Sequence, residues 1–206
     1  MDLTLYTEQI ERLPKTGRHI NAQLSGDNIV VYQAYRRSIA EFAVVNQHFG
    51  GDFSFNRMSW IKTSFMWMMY RSGWATKEGQ EHVLRITIPT DLFDEILKNA
   101  VITSFSTEFF NDRDAWNVAL RKSEIRLQWD PDHSATGIPL ARKAIQLGLK
   151  GSLLRRYSDN VVAIEDITGF VHQQHGKINE DLLIPNETLY MPKAKNIIDK
   201  IKLDIL

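Results

Sequence analysis

Apolar and polar positions along the chain predict several β-strands. Residues 29–35 are rich in β-branched and aromatic side chains and follow a polar turn at residues 25–28, which is typical of a strand. Residues 83–88 and 161–167 have the same character. In residues 124–129 every second side chain is apolar, so one face of that strand is predicted to be buried.

Helical patterns lie between and after these strands. Ser38 and Glu41 have the spacing of a capping box at the start of one helix, and the glycine pair at positions 50 and 51 is predicted to end it. Three further segments show helical patterns: residues 91–100, residues 140–149 and the stretch after Thr168. Residues 53–61 are strand-like, and residues 103–122 are predicted to be rich in loops.

The segment 64–74 is predicted to form a short buried helix. Ser64 is a residue type that caps helix N-termini, and Gly73 is one that ends helices. Residues 65–70 between them are apolar on all sides, which is typical of a helix enclosed by the rest of the protein.

The mixture of helices and polar-faced strands predicts an α+β fold, as a single domain with a mixed, mostly antiparallel sheet flanked by helices. Residues 1–28 are polar and are predicted to form an N-terminal arm, and residues 29–192 to form the domain. Residues 193–206 place isoleucines on one helical face among lysines. We expect them to form an amphipathic helix packed on the domain, with a partner protein as the alternative surface.

Composition and charge exclude some classes of function. The chain of 206 residues is 43% hydrophobic and 24% charged, as in ordinary globular domains. It has no cysteine, so disulfides, thiolate nucleophiles and zinc–sulfur sites are excluded. Its net charge is zero, so no global field attracts nucleic acid or a membrane, although a local basic patch stays open. The N-terminus lacks a signal-peptide pattern, and we expect a cytoplasmic protein without a membrane partner.

Three cations lie within the apolar segment 57–74, namely Arg57, Lys62 and Arg71. Each must be paired, extend to solvent or contact a ligand, because an unpartnered buried charge is costly. Their combination with Ser64 at a helix start favours a pocket for a phosphate or pyrophosphate. The tryptophans at 60, 67 and 74 recur every seven residues, which favours core packing, with stacking on a base or nicotinamide ring as the alternative.

Other polar groups give weaker indications. Arg126, Gln128 and Asp130 share one face of the strand at 124–129 if the alternation continues, and that face is either solvated or lines a cleft. Glu165 and Asp166 point to opposite faces of a strand and cannot act as a matched acid and base. Two histidines at 172 and 175 have no evident third ligand, so no metal is expected. The chain has no Walker loop, dinucleotide-binding glycine motif or nucleophile elbow.

Several strings resemble one family. YQAY at 32–35, the run from 57 to 77, QWDP at 128–131, IQLGL at 145–149 and IEDIT at 164–168 identify the chain as a member of an uncharacterised family, domain of unknown function 4291. Two positions depart from the pattern: Thr63 stands where the family pattern has proline, and His133 where it usually has arginine.

The order of features also resembles, more remotely, ADP-ribosyltransferase-like enzymes, particularly those that modify nucleic acid. This resemblance implies a pocket for NAD as substrate, bordered by these candidate contacts: Tyr35, Arg57, Trp60, Lys62, Ser64, Tyr70, Arg71 and Arg126. It implies a catalytic group on a late strand, for which the candidates are Gln128 and Asp130, or else Glu165.

Three hypotheses follow. The first is an NAD-using transferase or NAD glycohydrolase that acts on a nucleic-acid or protein acceptor. The second is a non-catalytic nucleotide- or RNA-binding module, in which the same aromatics and cations hold bases and phosphates. The third is a structural domain in which the tryptophan-rich segment is only core. The sequence does not indicate an oligomeric state.

Overall fold

The computed structural model describes residues 1–205. Its helices are α1 (Tyr6–Arg12), α2 (Arg37–Asn46), α3 (Phe65–Ser72), α4 (Thr90–Asn99), α5 (Arg113–Lys122), α6 (Gly151–Asp159), α7 (Thr168–His175) and α8 (Lys195–Ile201). Its longer strands are β5 (Asn28–Tyr35), β6 (Ser59–Lys62), β7 (His82–Pro89), β9 (Ile125–His133), β10 (Pro139–Leu149) and β11 (Ala163–Asp166). The short strands are β1 (Leu3–Leu5), β2 (Gly17–Arg18), β3 (Ile20–Ala22), β4 (Leu24–Ser25), β8 (Ala100–Ile102), β12 (Leu183–Pro185) and β13 (Thr188–Tyr190).

One large sheet organises the fold, with the strand order β11-β7-β5-β6-β10-β9-β8. Within residues 1–205 its parallel pairs are β8 with β9 and β2 with β10, and the other pairs are antiparallel. The predicted α+β class with a mixed, mostly antiparallel sheet is therefore confirmed. No helix of the described residues combines the length and apolar character needed to cross a membrane.

Two hydrophobic clusters lie on opposite faces of this sheet. Alternation along β5 separates them, because Ile29 and Val31 belong to one cluster while Val30 and Tyr32 belong to the other. The first cluster also includes residues of α4, α6 and α8, and the second includes residues of α3 and α7. The sheet is thus covered on both sides, and α3 lies on the face that Tyr32 shares.

The helix α3 follows the sequence prediction closely. Ser64 is its N-cap, and its hydroxyl accepts a hydrogen bond from the Trp67 amide at 3.2 Å. Gly73 ends the helix in the left-handed conformation, with φ of 58°, which a glycine adopts without strain. Five of the six residues 65–70 are buried, and Tyr70 is the exposed one. The helix can be apolar all round because both the sheet and α7 cover it.

Several local predictions were wrong. Residues 140–149 form strand β10 and not a helix, because Ile145, Leu147 and Leu149 alternate onto the apolar face between β6 and β9. The predicted capping box at α2 is absent, since the Ser38 hydroxyl donates to Asp52 at 2.8 Å instead. The strand β9 continues through residues 130–133, past its predicted end.

Three other segments also differ from the sequence prediction. Residues 103–122, predicted to be loop-rich, contain the surface helix α5, whose N-cap Asp112 accepts from the Ala115 amide at 2.7 Å. The segment 53–61 was predicted to be strand-like, but the strand in this region, β6, begins at Ser59 and ends at Lys62. The helix α2 ends at Asn46, four residues before the glycine pair.

The two ends of the chain are paired with the rest of it. In the first 28 residues, β1 pairs with β12, β3 with β13 and β4 with β5. The helix α8 buries Ile197 and Ile201 in the first hydrophobic cluster. Short strands in residues 1–28 thus pair with distant parts of the chain.

Candidate functional site

A cleft of about 680 Å³ opens where strands β5 and β6 diverge. The two strands are paired only at Tyr32 and Lys62, and beyond that point β5 continues along β7 while β6 continues along β10. The wall comes from β5, β6, the loop before β6, helix α3, and the polar faces of β9 and β10. A gap between diverging strands exposes backbone and side chains of both, as binding clefts require.

Gln33 forms the floor of the cleft and joins the diverging strands. Its amide nitrogen lies 2.7 Å from the Tyr35 and Ser59 hydroxyls and 3.3 Å from the Trp60 carbonyl oxygen. Its amide oxygen accepts from the buried Tyr157 hydroxyl at 2.9 Å. These side-chain hydrogen bonds link β5 and β6 where the two strands form no backbone hydrogen bonds. They satisfy the buried polar groups at the bottom of the cleft while the strands stay apart.

Lys62 lies at the base of the cleft and is only 4% exposed. Within residues 1–205 its ammonium makes no ion pair or hydrogen bond. Burial, and to a smaller extent the charge of Arg71, lowers the pKa of Lys62 to about 8, although Asp130 acts to raise it. The Lys62 side chain is largely buried and its ammonium has no acid partner within residues 1–205, so it is suited to receive an anion from the cleft.

A polar row continues from Lys62 across two more strands. Lys62, Gln146 and Gln128 occupy directly opposed positions on β6, β10 and β9, so their side chains share one face. The Gln146 amide donates to Gln128 Oε1 at 2.8 Å and to Asp130 Oδ2 at 2.6 Å. Burial raises the pKa of Asp130, while the Gln146 hydrogen bond and Lys62 act to lower it. The row therefore ends in a carboxyl group that is electrostatically linked to Lys62.

Two guanidinium groups stand on the cleft wall above this row. Arg57 and Arg71 are exposed, and neither forms an ion pair with an acid in the described part of the chain. A third, Arg36, pairs with Asp52 at 3.0 Å. Arg57, Lys62 and Arg71 thus face one volume, and positive charge predominates on its wall.

Trp60 gives the cleft an aromatic surface, and a glycine makes room for it. Trp60 lies opposite Gly148 of β10. A Cβ at Gly148 would come within 2.6 Å of Met58 Sδ and 3.0 Å of the Trp60 ring, so a larger residue would displace both side chains. Gly148, the glycine of the IQLGL string, therefore leaves the space that the Trp60 ring occupies on the sheet.

The structure brings together six of the eleven predicted site residues on the cleft wall: Tyr35, Arg57, Trp60, Lys62, Arg71 and Gln128. Asp130 adjoins them through Gln146. The remaining four lie elsewhere. Sequence reasoning did not select Gln33 or Gln146 as site residues. The signal that could have identified each is a polar residue between two apolar neighbours in a strand.

Ser64 lies in the interior, at 2% exposure. Besides capping α3, its hydroxyl donates to Asp132 Oδ1 at 3.2 Å, and Asp132 pairs with Arg142 at 2.7 Å. The first amide of the helix, that of Phe65, donates to Glu187 Oε1 at 2.6 Å. The start of this helix is thus occupied by a carboxyl group of the chain itself, so Ser64 does not serve the cleft.

Tyr70, Arg126 and Glu165 also lie outside the cleft wall. Tyr70 stacks on His133 with ring centroids 3.6 Å apart. Arg126 donates to the Ser123 carbonyl oxygen at 2.8 Å. Glu165 pairs with Arg85, which separates it from Tyr32 and Lys62 along the same row of the sheet.

The two departures from the family pattern lie close together. Thr63 adjoins Ser64 and His133 adjoins Asp132, and these two neighbours share a hydrogen bond. Thr63 Oγ1 and His133 Nδ1 are both buried without a partner. Both departures therefore leave an unsatisfied polar atom beside the start of α3.

A family model described as a domain of unknown function (DUF4291) matches residues 19–195. This range includes every residue of the cleft wall. No curated protein matches the chain.

Proposed function

We propose that this chain, which belongs to the family of domains of unknown function DUF4291, binds NAD in the cleft as an ADP-ribosyltransferase-like enzyme. It transfers ADP-ribose from NAD to a nucleic-acid or protein acceptor, or to water as an NAD glycohydrolase. The observation that carries the proposal is the largely buried Lys62 side chain in one cleft with the exposed Arg57 and Arg71, none of which forms an ion pair within residues 1–205.

A pyrophosphate fits this arrangement of charge. Its two phosphates offer oxygens to a compact ammonium and to planar guanidinium groups at the same time. The partner that Lys62 lacks would come from the ligand, so binding would relieve the cost of burying the ammonium. A volume of about 680 Å³ lies in the range of small-molecule and cofactor sites.

The remaining polar and aromatic groups support the assignment of the reactive end. Trp60 and Tyr35 offer ring surfaces to a base or to nicotinamide. Gln128 can orient a ribose hydroxyl, and Asp130 in its ionised form can stabilise positive charge that develops on the ribose when nicotinamide leaves. We assign this role to Asp130 over Glu165, because Asp130 accepts a hydrogen bond from Gln146 of the cleft wall, whereas Glu165 pairs with Arg85.

The test is release of free nicotinamide from NAD by the purified protein, with and without RNA, DNA or protein mixtures. An Arg57→Ala/Lys62→Ala double variant is the negative control, and Arg126→Ala, outside the cleft, is the matched control that should retain activity. Release by the wild type alone indicates a glycohydrolase, and release that depends on one additive identifies the acceptor class. Equal release by the wild type and the double variant would contradict the proposal.

The second candidate is a non-catalytic nucleotide- or RNA-binding module. It is favoured by the lack of a free carboxylate on the described cleft wall. Within residues 1–205 the one carboxylate that lines the cleft is Asp52, which already accepts hydrogen bonds from Arg36 and Ser38. This function predicts oligonucleotide binding whose log affinity falls linearly as log salt rises. Binding with a salt slope but no nicotinamide release would select this candidate, and absence of oligonucleotide binding would exclude it.

A further inference from the structure

Among the described residues of the cleft wall, Lys62 is the one amine. It differs chemically from Arg57 and Arg71, because a guanidinium stays protonated whereas a buried amine can lose its proton. Burial holds the pKa of Lys62 at about 8. At pH 7 about 10% of such an amine is neutral, against about 0.03% of an exposed lysine with a pKa near 10.5. Lys62 therefore has about 300 times more of the nucleophilic form.

Asp130 supplies the second group that an amine nucleophile needs. Its carboxyl is fixed by Gln146, which lies directly opposite Lys62 in the sheet. Burial raises the pKa of Asp130, so it keeps its proton to a higher pH than an exposed aspartate does. An amine and a proton-donating carboxyl thus adjoin one polar row at the base of a cleft with cationic walls.

We propose that Lys62 is a covalent attachment site for anionic carbonyl compounds, which are aldehydes or ketones carrying a phosphate or carboxylate, and that it binds them as an imine. Arg57 and Arg71 hold the anionic group, and the carbonyl carbon reaches the amine. This chemistry goes beyond the proposed use of NAD and does not depend on it.

The reaction balances without an oxidant or reductant. The lone pair of the neutral Lys62 amine forms a bond to the carbonyl carbon, and a proton moves from nitrogen to oxygen to give a carbinolamine. The Asp130 carboxyl then gives its proton to the hydroxyl, which leaves as water. The nitrogen of the resulting iminium returns a proton to Asp130. One amine and one carbonyl compound become one imine and one water.

The test uses pyridoxal 5′-phosphate as the probe, at less than one equivalent of the full chain, followed by borohydride reduction and peptide mapping by mass spectrometry. We expect one adduct at Lys62, formed about 100-fold faster than adducts on surface lysines, with a rate that rises with pH around a midpoint near 8. Lys62→Arg should abolish this fast adduct. Lys195→Arg, which changes an exposed lysine, should retain it.

Two comparisons make the result decisive. Pyridoxal without its phosphate should label Lys62 at least 10-fold more slowly, and Arg57→Gln should slow labelling by the phosphate but not by pyridoxal. Label spread evenly over surface lysines of the wild type would overturn the proposal, and this outcome needs no variant to fold. Labelling of Lys62 at equal rates by both probes would overturn the anionic requirement. Nicotinamide release is not involved, so either proposal can fail alone.

Discussion

Replacing Lys62 with methionine is expected to stabilise the fold and to weaken ligand binding at once. The Lys62 side chain is 4% exposed and its ammonium has no ion pair within residues 1–205, and burial, with a smaller effect of Arg71, lowers its pKa from 10.5 to about 8. At about 1.4 kcal/mol for each tenfold change in proton affinity, this lowering corresponds to about 3 kcal/mol of destabilisation at neutral pH. Methionine has a similar length without the charge, so Lys62→Met should raise the free energy of unfolding by up to about 3 kcal/mol.

The free energy of unfolding of the wild type is expected to depend on pH through Lys62. Unfolded Lys62 keeps its proton up to about pH 10.5, whereas folded Lys62 loses it near pH 8. Between these values the unfolded state binds more protons, so the stability of the wild type rises with pH. Below pH 8 the penalty is fully present. The stability difference between the variant and the wild type should therefore shrink as pH rises from about 8 to 10.5.

The assay is urea unfolding of both proteins at pH 7 and pH 10. Arg71→Met is the matched control, because Arg71 is exposed and its replacement should change stability by less than about 0.5 kcal/mol. A Lys62→Met variant that is less stable than the wild type at pH 7, by a difference that is unchanged at pH 10, would contradict this prediction. That result would mean that the ammonium is stabilised inside the fold.

Three further predictions concern buried polar groups around the cleft and around α3. Thr63→Val should stabilise the protein by about 1 kcal/mol in urea unfolding, since the Thr63 hydroxyl is buried without a partner; a loss of more than about 1 kcal/mol would show that the hydroxyl is satisfied. Burial raises the pKa of Glu187 well above its ordinary value of 4.5, so the stability of the wild type should fall relative to Glu187→Gln as pH rises above about 4.5. The same pH slope in both proteins would contradict this. Gln33→Leu should destabilise the protein by about 3 kcal/mol, because it leaves the buried Tyr157 hydroxyl and the Trp60 carbonyl without Gln33; a change below about 0.5 kcal/mol would mean that the floor of the cleft does not depend on it.

Local signals were sufficient for α3 and β5. Ser64 and Gly73 specify the ends of α3 through chemistry that lies within one turn of the helix. The run at 29–35 has a composition that suits a strand covered on both faces. For residues 140–149 the pattern was ambiguous, since a short apolar run suits a buried strand or a helix. The decision for a strand comes from pairing with β6 and β9, which lie elsewhere in the chain.

The candidate site was partly predictable for the same reason. Arg57, Lys62 and Arg71 could be singled out, because charges in an apolar segment require an explanation wherever the chain folds. The role of Gln146 depends on its register opposite Lys62 and Gln128, which no local pattern fixes. The sequence predicted an anion pocket at Ser64. It could not show that the Glu187 carboxyl group occupies the start of α3, because Glu187 lies 122 residues from Phe65 in sequence.

Calorimetric titration of NAD into the wild type and into Lys62→Met tests most directly whether the cleft binds a dinucleotide through its buried ammonium. We expect saturable binding of one NAD per chain to the wild type, and binding about 10- to 100-fold weaker to the variant, because one charge-assisted contact is lost. Affinity that is the same in both proteins, or no binding to a wild type that is folded, would contradict it.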